Sequence, residues 1–182
     1  MVGFRELKQN QKAKDSVHVE MGKLRKRGVW NEKKVREKED VEIEAQEKQI
    51  DTHFAKLLVT CTQKNIELKV EEMMKYKGRV CLDGRAEKVR DQWGLRAVFQ
   101  HLTSLPASMP ANRAGMAYGD IQGHYTETAD ANQAYTQSPY SGVPTWVEMD
   151  EEFWPPEWKG KYVNPVVRLV RALYGHPDAG GP

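Results

Sequence analysis

The sequence predicts an α+β fold, in which a charged helical segment precedes a group of short strands and loops. Residues 1–72 contain no proline and are rich in Lys, Glu, Gln and Arg, which favour helices. From about residue 75, segments of alternating apolar and polar residues are separated by Gly, Pro and Asp-Gly turns, which is typical of strands. The hydrophobic fraction of 39% and the charged fraction of 30% indicate a modest core with solvated segments.

Charge is distributed unevenly along the chain. Residues 1–90 hold 22 Lys and Arg against 16 Asp and Glu, whereas residues 91–182 hold 6 against 10. A basic front half fits a polyanionic partner such as nucleic acid or a nucleoside triphosphate. A solvated helical face would give the same distribution, so charge alone leaves both interpretations open.

Several classes of protein are disfavoured by composition. Two cysteines, Cys61 and Cys81, provide neither a disulfide framework nor a zinc site, and the five histidines show no paired spacing. The N-terminal MVGFRELKQN lacks an apolar signal core, and no apolar run reaches the ~18 residues that a membrane span requires. We therefore expect a soluble intracellular protein, cytoplasmic or nuclear, with no membrane partner.

Residues 1–74 are predicted to be a largely helical lead-in that is partly disordered. Residues 31–50 lack a strong apolar stripe, which indicates either a long charged helix or partial disorder. In the following segment, HFAKLLVTCTQKNIELKV, a second helix is predicted because apolar residues recur at helical spacing. These residues are Phe54, Leu57, Leu58 and Cys61.

The first predicted strand is KYKGRVCL at residues 75–82. Its alternation places Lys77 and Arg79 on one face, and Asp83-Gly84 is a turn signal, so the segment is plausible as one arm of a hairpin.

Further elements are predicted from the same periodicities. We expect helices over 87–102 and 110–118, a strand over 124–130 that ends on a carboxylate, and a strand in TWVEM. FWPPEWKGKY is predicted to be a loop, and VVRLVRALYG is a final apolar segment. The terminal PDAGGP completes no helix or strand, which suggests a truncated chain.

Three segments in order resemble the reverse transcriptase of copia-type retrotransposons. They are KYKGRVCLDG at 75–84, ADANQAYTQSPYSG at 129–142 and PVVRLVRALYGHPDAG at 165–180. They are similar to the family's basic fingers strand, the first catalytic motif of its palm and its Leu-Tyr-Gly motif. The resemblance implies that residues 75–182 form the fingers and an incomplete palm of a right-hand polymerase.

The resemblance implies RNA-directed DNA synthesis on a template-primer from deoxynucleoside triphosphates. This reaction uses two Mg²⁺ or Mn²⁺ ions about 4 Å apart. Asp130 would be the catalytic carboxylate and a metal ligand, and the backbone carbonyl of Ala131 a further ligand. A lone Asp after a strand is also typical of a helix N-cap or a turn.

The resemblance also assigns nucleotide-binding residues. Tyr135 would lie under the sugar and exclude a ribose 2′-hydroxyl, while Lys77 and Arg79 would hold the triphosphate. Judged from the residues alone, Tyr135 also fits an ordinary core tyrosine, and Lys77 and Arg79 also fit solvent-facing charges. The residues also leave open which of Lys77 and Arg79 makes the main contact.

This chain departs from the family pattern in three respects. Asp178 stands where the third motif usually has Gln, which makes a binding function there doubtful, and Asp83 replaces a basic residue of the fingers strand. No Asp-Asp pair occurs in the sequence, so the second catalytic motif, Tyr-x-Asp-Asp, would lie beyond residue 182. One carboxylate does not hold two magnesium ions well, so we expect weak metal binding and no activity from this chain alone.

Two other interpretations compete with a polymerase fragment. The first is a non-enzymatic protein whose basic N-terminal half binds nucleic acid or an acidic partner, with Trp146 and Trp158 as aromatic surface. The second is a translated relic that folds poorly.

Overall fold

The computed structural model describes residues 7, 9–65, 74–85, 87–99, 107–129 and 133–177. Within these residues, helices and a mixed sheet confirm the predicted α+β class. The helices are α1 (Gln11–Arg27), α2 (Lys38–Lys48) and α3 (Met109–Gly119). The strands are β1 (Arg36–Glu37), β2 (His53–Lys64), β3 (Lys75–Leu82), β4 (Thr145–Glu148) and β5 (Pro165–Arg168).

One five-stranded sheet organises the described chain, in the order β1-β5-β4-β2-β3. Strand β2 runs parallel to β4 and antiparallel to β3, and the remaining pairs are antiparallel. Strands from both sides of residue 74 therefore share the same sheet. Strand β3 is at one edge, so one side of its backbone has no neighbouring strand within the described sheet.

Helix α1 covers one face of the sheet. It begins after Asn10, whose side chain accepts a hydrogen bond from the Ala13 N–H at 3.2 Å, and it ends at Gly28 in the left-handed conformation (φ 66°). Its buried residues recur every three or four positions and form the stripe that faces β2 and β3. These are Ala13, Val17, Met21 and Leu24.

Helix α2 packs on the opposite face of the sheet. Val41 contacts Phe54 of β2 and Val166 of β5, with Trp146 at the margin of this smaller cluster. The ammonium group of Lys38 lies 5.6 Å from the centre of the Phe54 ring. A charged helix within residues 31–50 is therefore confirmed, and two of its residues, Val41 and Ala45, are buried.

The prediction of a helix at Phe54–Cys61 was wrong, because this segment is the central part of β2. His53, Ala55, Leu57 and Cys61 are buried in strand phase on one face of the sheet, and Phe54 is buried on the other face. The segment pairs with β3 over eight residues and with β4 over four. The first part of β2 pairs with β4 and the rest with β3, and this pairing outweighs a helical spacing that Leu57 and Leu58 also fit.

Two other predicted elements are absent from the described residues. Residues 87–99 contain turns and isolated bridges instead of a helix, and 100–102 lie outside the described chain. The Asp91 carboxylate accepts from the N–H groups of Trp93 and Leu95, which favours a turn over a helix. Residues 124–129 are exposed and form no strand.

Three predicted elements are confirmed. They are the strand at 75–82, the helix beginning near 110, and the strand within TWVEM. The FWPPEWKGKY segment is a loop with two short 3-10 turns at its start and middle, and the final apolar segment begins with β5. No helix among the described residues has the length and apolarity needed to cross a membrane.

Candidate functional site

A basic cleft of about 770 Å³ lies along the open edge of β3, and we name it the edge cleft. It is lined by residues of α1, of β3 and of the segments around residues 133 and 174. Among the described residues, four cations line it, against one carboxylate, Glu20. The cations are Lys23, Arg27, Lys77 and Arg79.

Strand β3 presents Lys77 and Arg79 on the same exposed face. The intervening Gly78 and the following Val80 are buried against α1, since successive side chains of a strand point to opposite faces. Both cations line the edge cleft. The structure therefore brings together the two basic residues that the sequence motif singles out.

Helix α1 supplies the other two cations, which the sequence analysis did not single out. Lys23 and Arg27 are four residues apart and so lie on one side of the helix. The signal that could have identified them is the basic final turn, in which Arg25, Lys26 and Arg27 are consecutive. Their approach to β3 is a tertiary feature, which helical periodicity does not contain.

Glu20, the carboxylate among the described lining residues, has partners of its own. Glu20 Oε2 lies 3.1 Å from Lys23 Nζ, and the Gln133 amide donates to Glu20 Oε1 at 3.4 Å. Lys77 and Arg79 form no ion pair with another described residue. A negatively charged ligand would therefore meet two cations, Lys77 and Arg79, that no carboxylate of the described residues neutralises.

The predicted metal ligands, Asp130 and Ala131, lie outside the described residues, as does Asp178. The described chain resumes at Gln133, which lines the edge cleft. Within the described chain, no group of three or more His, Cys, Asp or Glu side chains could hold a metal ion.

Tyr135 lies next to the cleft. Its ring packs against that of Tyr174 with the ring centres 4.5 Å apart and an interplanar angle of 63°. Tyr174 lines the cleft, whereas Tyr135 is not among the described lining residues and is 39% exposed. The Tyr174 carbonyl accepts a hydrogen bond from the Leu82 N–H at 2.7 Å, which anchors the Tyr pair to the end of β3.

Asp83 is not among the described lining residues of the cleft, and its charge is paired with a cation. Its carboxylate accepts two hydrogen bonds from the Arg85 guanidinium, at 2.7 and 2.6 Å. These hydrogen bonds lower the pKa of Asp83 against the opposing effect of its burial. Asp83, which stands where the family pattern has a basic residue, is thus paired with the guanidinium of Arg85.

The prediction that Trp146 and Trp158 both form an aromatic surface was wrong for Trp158. Trp158 is buried with 2% of its surface exposed, and it packs edge-on to Tyr162, so it belongs to the core. Pro-rich flanks fold this loop into a 3-10 turn that directs the indole inward. Trp146 is half-buried and lines a different cleft.

Comparisons with known proteins give no relative for this chain: no family model, curated protein or solved structure matches it.

Proposed function

We propose that the edge cleft binds the triphosphate of a deoxynucleotide, and that the chain is the fingers and partial palm of a retrotransposon reverse transcriptase. The observation that supports this proposal most strongly is the position of Lys77 and Arg79. Both come from the motif that resembles the family's fingers strand, and both line one cleft with Gln133, three positions after Asp130.

Electrostatics favour a polyphosphate over other ligands. Four cations converge on one cleft, and the only carboxylate among the described lining residues is held by Lys23 and Gln133. Arg79 and Arg27 offer planar forks that suit phosphate oxygens, and Lys23 and Lys77 offer point charges. A single phosphate would leave some of these cations unused, whereas a triphosphate would satisfy more of them.

Only the sequence motifs connect this chain to the family's reaction. In the intact enzyme, Asp130 would bind one of two Mg²⁺ or Mn²⁺ ions while a template-primer of RNA and DNA is extended. This chain has no Asp-Asp pair, so we expect nucleotide binding without polymerisation. Primer extension on an RNA template with either metal should give no product, and extension that depends on Asp130 would contradict this expectation.

Binding of dTTP, dTMP and thymidine to the full chain, measured by titration calorimetry, tests the proposal. We expect dTTP to bind most tightly, and Lys77→Gln or Arg79→Gln to weaken it about tenfold, because a hydrogen bond to a charged group contributes roughly 1.5–3 kcal/mol.

Lys75→Gln is the matched control, since Lys75 is exposed on the same strand face but does not line the cleft. It should change the affinity for dTTP less than twofold. Equal affinities for dTTP and dTMP, or equal losses from Lys75→Gln and Lys77→Gln, would refute the proposal.

A further inference from the structure

A second basic cleft lies on the sheet face opposite α1, and we name it the sheet cleft. Its volume is about 740 Å³, and its lining residues come from the segment 31–36, from β4, from residues 168–170 at and after the end of β5, and from Tyr140. None of the described lining residues is acidic. The cleft shares no lining residue with the edge cleft.

The cations of the sheet cleft come from three different elements. Lys34 ends the Glu32–Lys34 turn, Arg36 lies on β1, and Arg168 lies on β5. Arg36 is paired with Glu44 of α2, whereas Lys34 and Arg168 form no ion pair in the described part of the chain. The cleft therefore has a net positive charge, and two of its cations are available to an anion.

An aromatic ring lies among these cations. Trp146 of β4 is directly opposite Arg168 of β5 in the antiparallel register, so both side chains are on the same face. On the other side of Trp146, Phe54 occupies the corresponding position of β2 and is covered by α2. Helix α2 covers Phe54 but not Arg168. Trp146 lies between these two residues, so it is half-buried, and its accessible part lines the cleft.

We propose that the sheet cleft binds a single-stranded polynucleotide. Lys34 and Arg168 contact backbone phosphates, and an unpaired base stacks on Trp146. Cations interleaved with an aromatic ring fit this ligand class because every base offers a flat face and every linkage a negative charge. An acidic peptide would satisfy the cations but would give Trp146 no stacking partner. A duplex would keep its bases stacked on each other.

Fluorescence anisotropy of labelled twelve-residue oligo(dT) and oligo(U) with the full chain tests this proposal. Arg168→Gln should weaken binding about fivefold and reduce the slope of log affinity against log salt by about 0.7, the loss of one phosphate contact. Trp146→Leu should weaken binding at least fivefold, and Trp146→Phe should restore most of it, because a phenyl ring also stacks. Equal binding of the two oligonucleotides supports recognition of phosphate and base, and a preference for one identifies the strand.

Arg113→Gln is the matched control, since it removes the same charge from helix α3, which has no buried residue. An equal loss from Arg113→Gln and Arg168→Gln would overturn the proposal in favour of unspecific attraction. So would equal binding of a duplex, or equally strong competition by oligoglutamate. Displacement of the oligonucleotide by dTTP would also overturn it, because the strand would then occupy the edge cleft.

Discussion

The two ends of strand β2 are packed in opposite ways. Near its C-terminal end, Cys61 belongs to the apolar core and lies opposite Gly78 of β3, against which the backbone of α1 packs closely. At its N-terminal end, His53 adjoins a buried polar cluster that includes Thr145 and His176. The stability of the first end depends on how closely the groups pack, and that of the second end depends on the protonation of His176. Different perturbations should therefore destabilise the two ends.

The apolar end has almost no free space. A Cβ atom at Gly78 would lie 2.6 Å from the backbone oxygen of Ser16 and 2.6 Å from the nitrogen of Val17. Because these are backbone atoms of a helix, rotation of a side chain does not relieve the contact. Gly78 is thus the residue that allows α1 to approach β3 and brings Lys23 and Arg27 to the edge cleft.

At the polar end of β2, side chains from several segments form a hydrogen-bonded group. His176 Nε2 lies 2.9 Å from the Tyr140 hydroxyl and 3.1 Å from the Thr145 hydroxyl. Phe99 packs edge-on to the rings of both His53 and His176. Burial, and then the nearby His53, lower the pKa of His176 to about 4.

The largest effect is expected from Gly78→Ala at the apolar end. The added methyl group forces α1 away from β3, and we expect the free energy of unfolding to fall by about 3 kcal/mol, the upper part of the range for overpacking. Urea denaturation followed by circular dichroism measures it. The same variant should weaken dTTP binding, because Lys23 and Arg27 move away from Lys77.

Gly22→Ala is the control for this substitution. Gly22 lies within α1, and a Cβ there meets nothing within 4 Å, so the change should stabilise the protein by up to about 1 kcal/mol. A similar loss of stability from both substitutions would show that α1 tolerates no added methyl group anywhere, which contradicts the packing described here.

An effect of similar total size, spread over more than two pH units, is expected at the polar end when the pH is lowered. The unfolded chain binds a proton at His176 near pH 6.5, whereas the folded chain does so only near pH 4. Stability is therefore intact above pH 6.5 and falls between pH 6.5 and 4, by up to about 3 kcal/mol at 1.36 kcal/mol per unit. Urea denaturation at a series of pH values measures this slope.

His176→Asn should flatten the slope between pH 6.5 and 4, because the titrating group is removed. His124→Gln should leave it unchanged, since His124 is exposed and contacts only Tyr118 among the described aromatic residues. A slope that persists in His176→Asn would assign the acid sensitivity to another group.

The sequence predicted one arm of the central hairpin and not the other. In β3, charged residues alternate with Tyr76, Gly78 and Val80, and only a strand fits that pattern. In β2, Leu57 and Leu58 are adjacent apolar residues, so helical and extended periods fit equally. Pairing with β3 and β4 decided the outcome, and such pairing is not encoded locally.

The same distinction applies to the candidate site. Lys77 and Arg79 could be predicted because the period of a strand places them on one face. Lys23 and Arg27 could not, because they reach the cleft only through the close contact of α1 with Gly78. Local sequence patterns thus predict the β3 side of the edge cleft. The α1 side depends on the close packing of this helix against Gly78, which such patterns do not contain.

An NMR titration of the ¹⁵N-labelled chain with dTTP tests the central claim most directly. The account predicts that amide shifts cluster at Lys77, Arg79, Lys23, Arg27 and Gln133, while Lys75 and Trp146 stay fixed. Shifts that centre on Trp146, or that are as large at Lys75 as at Lys77, would contradict a triphosphate site in the edge cleft.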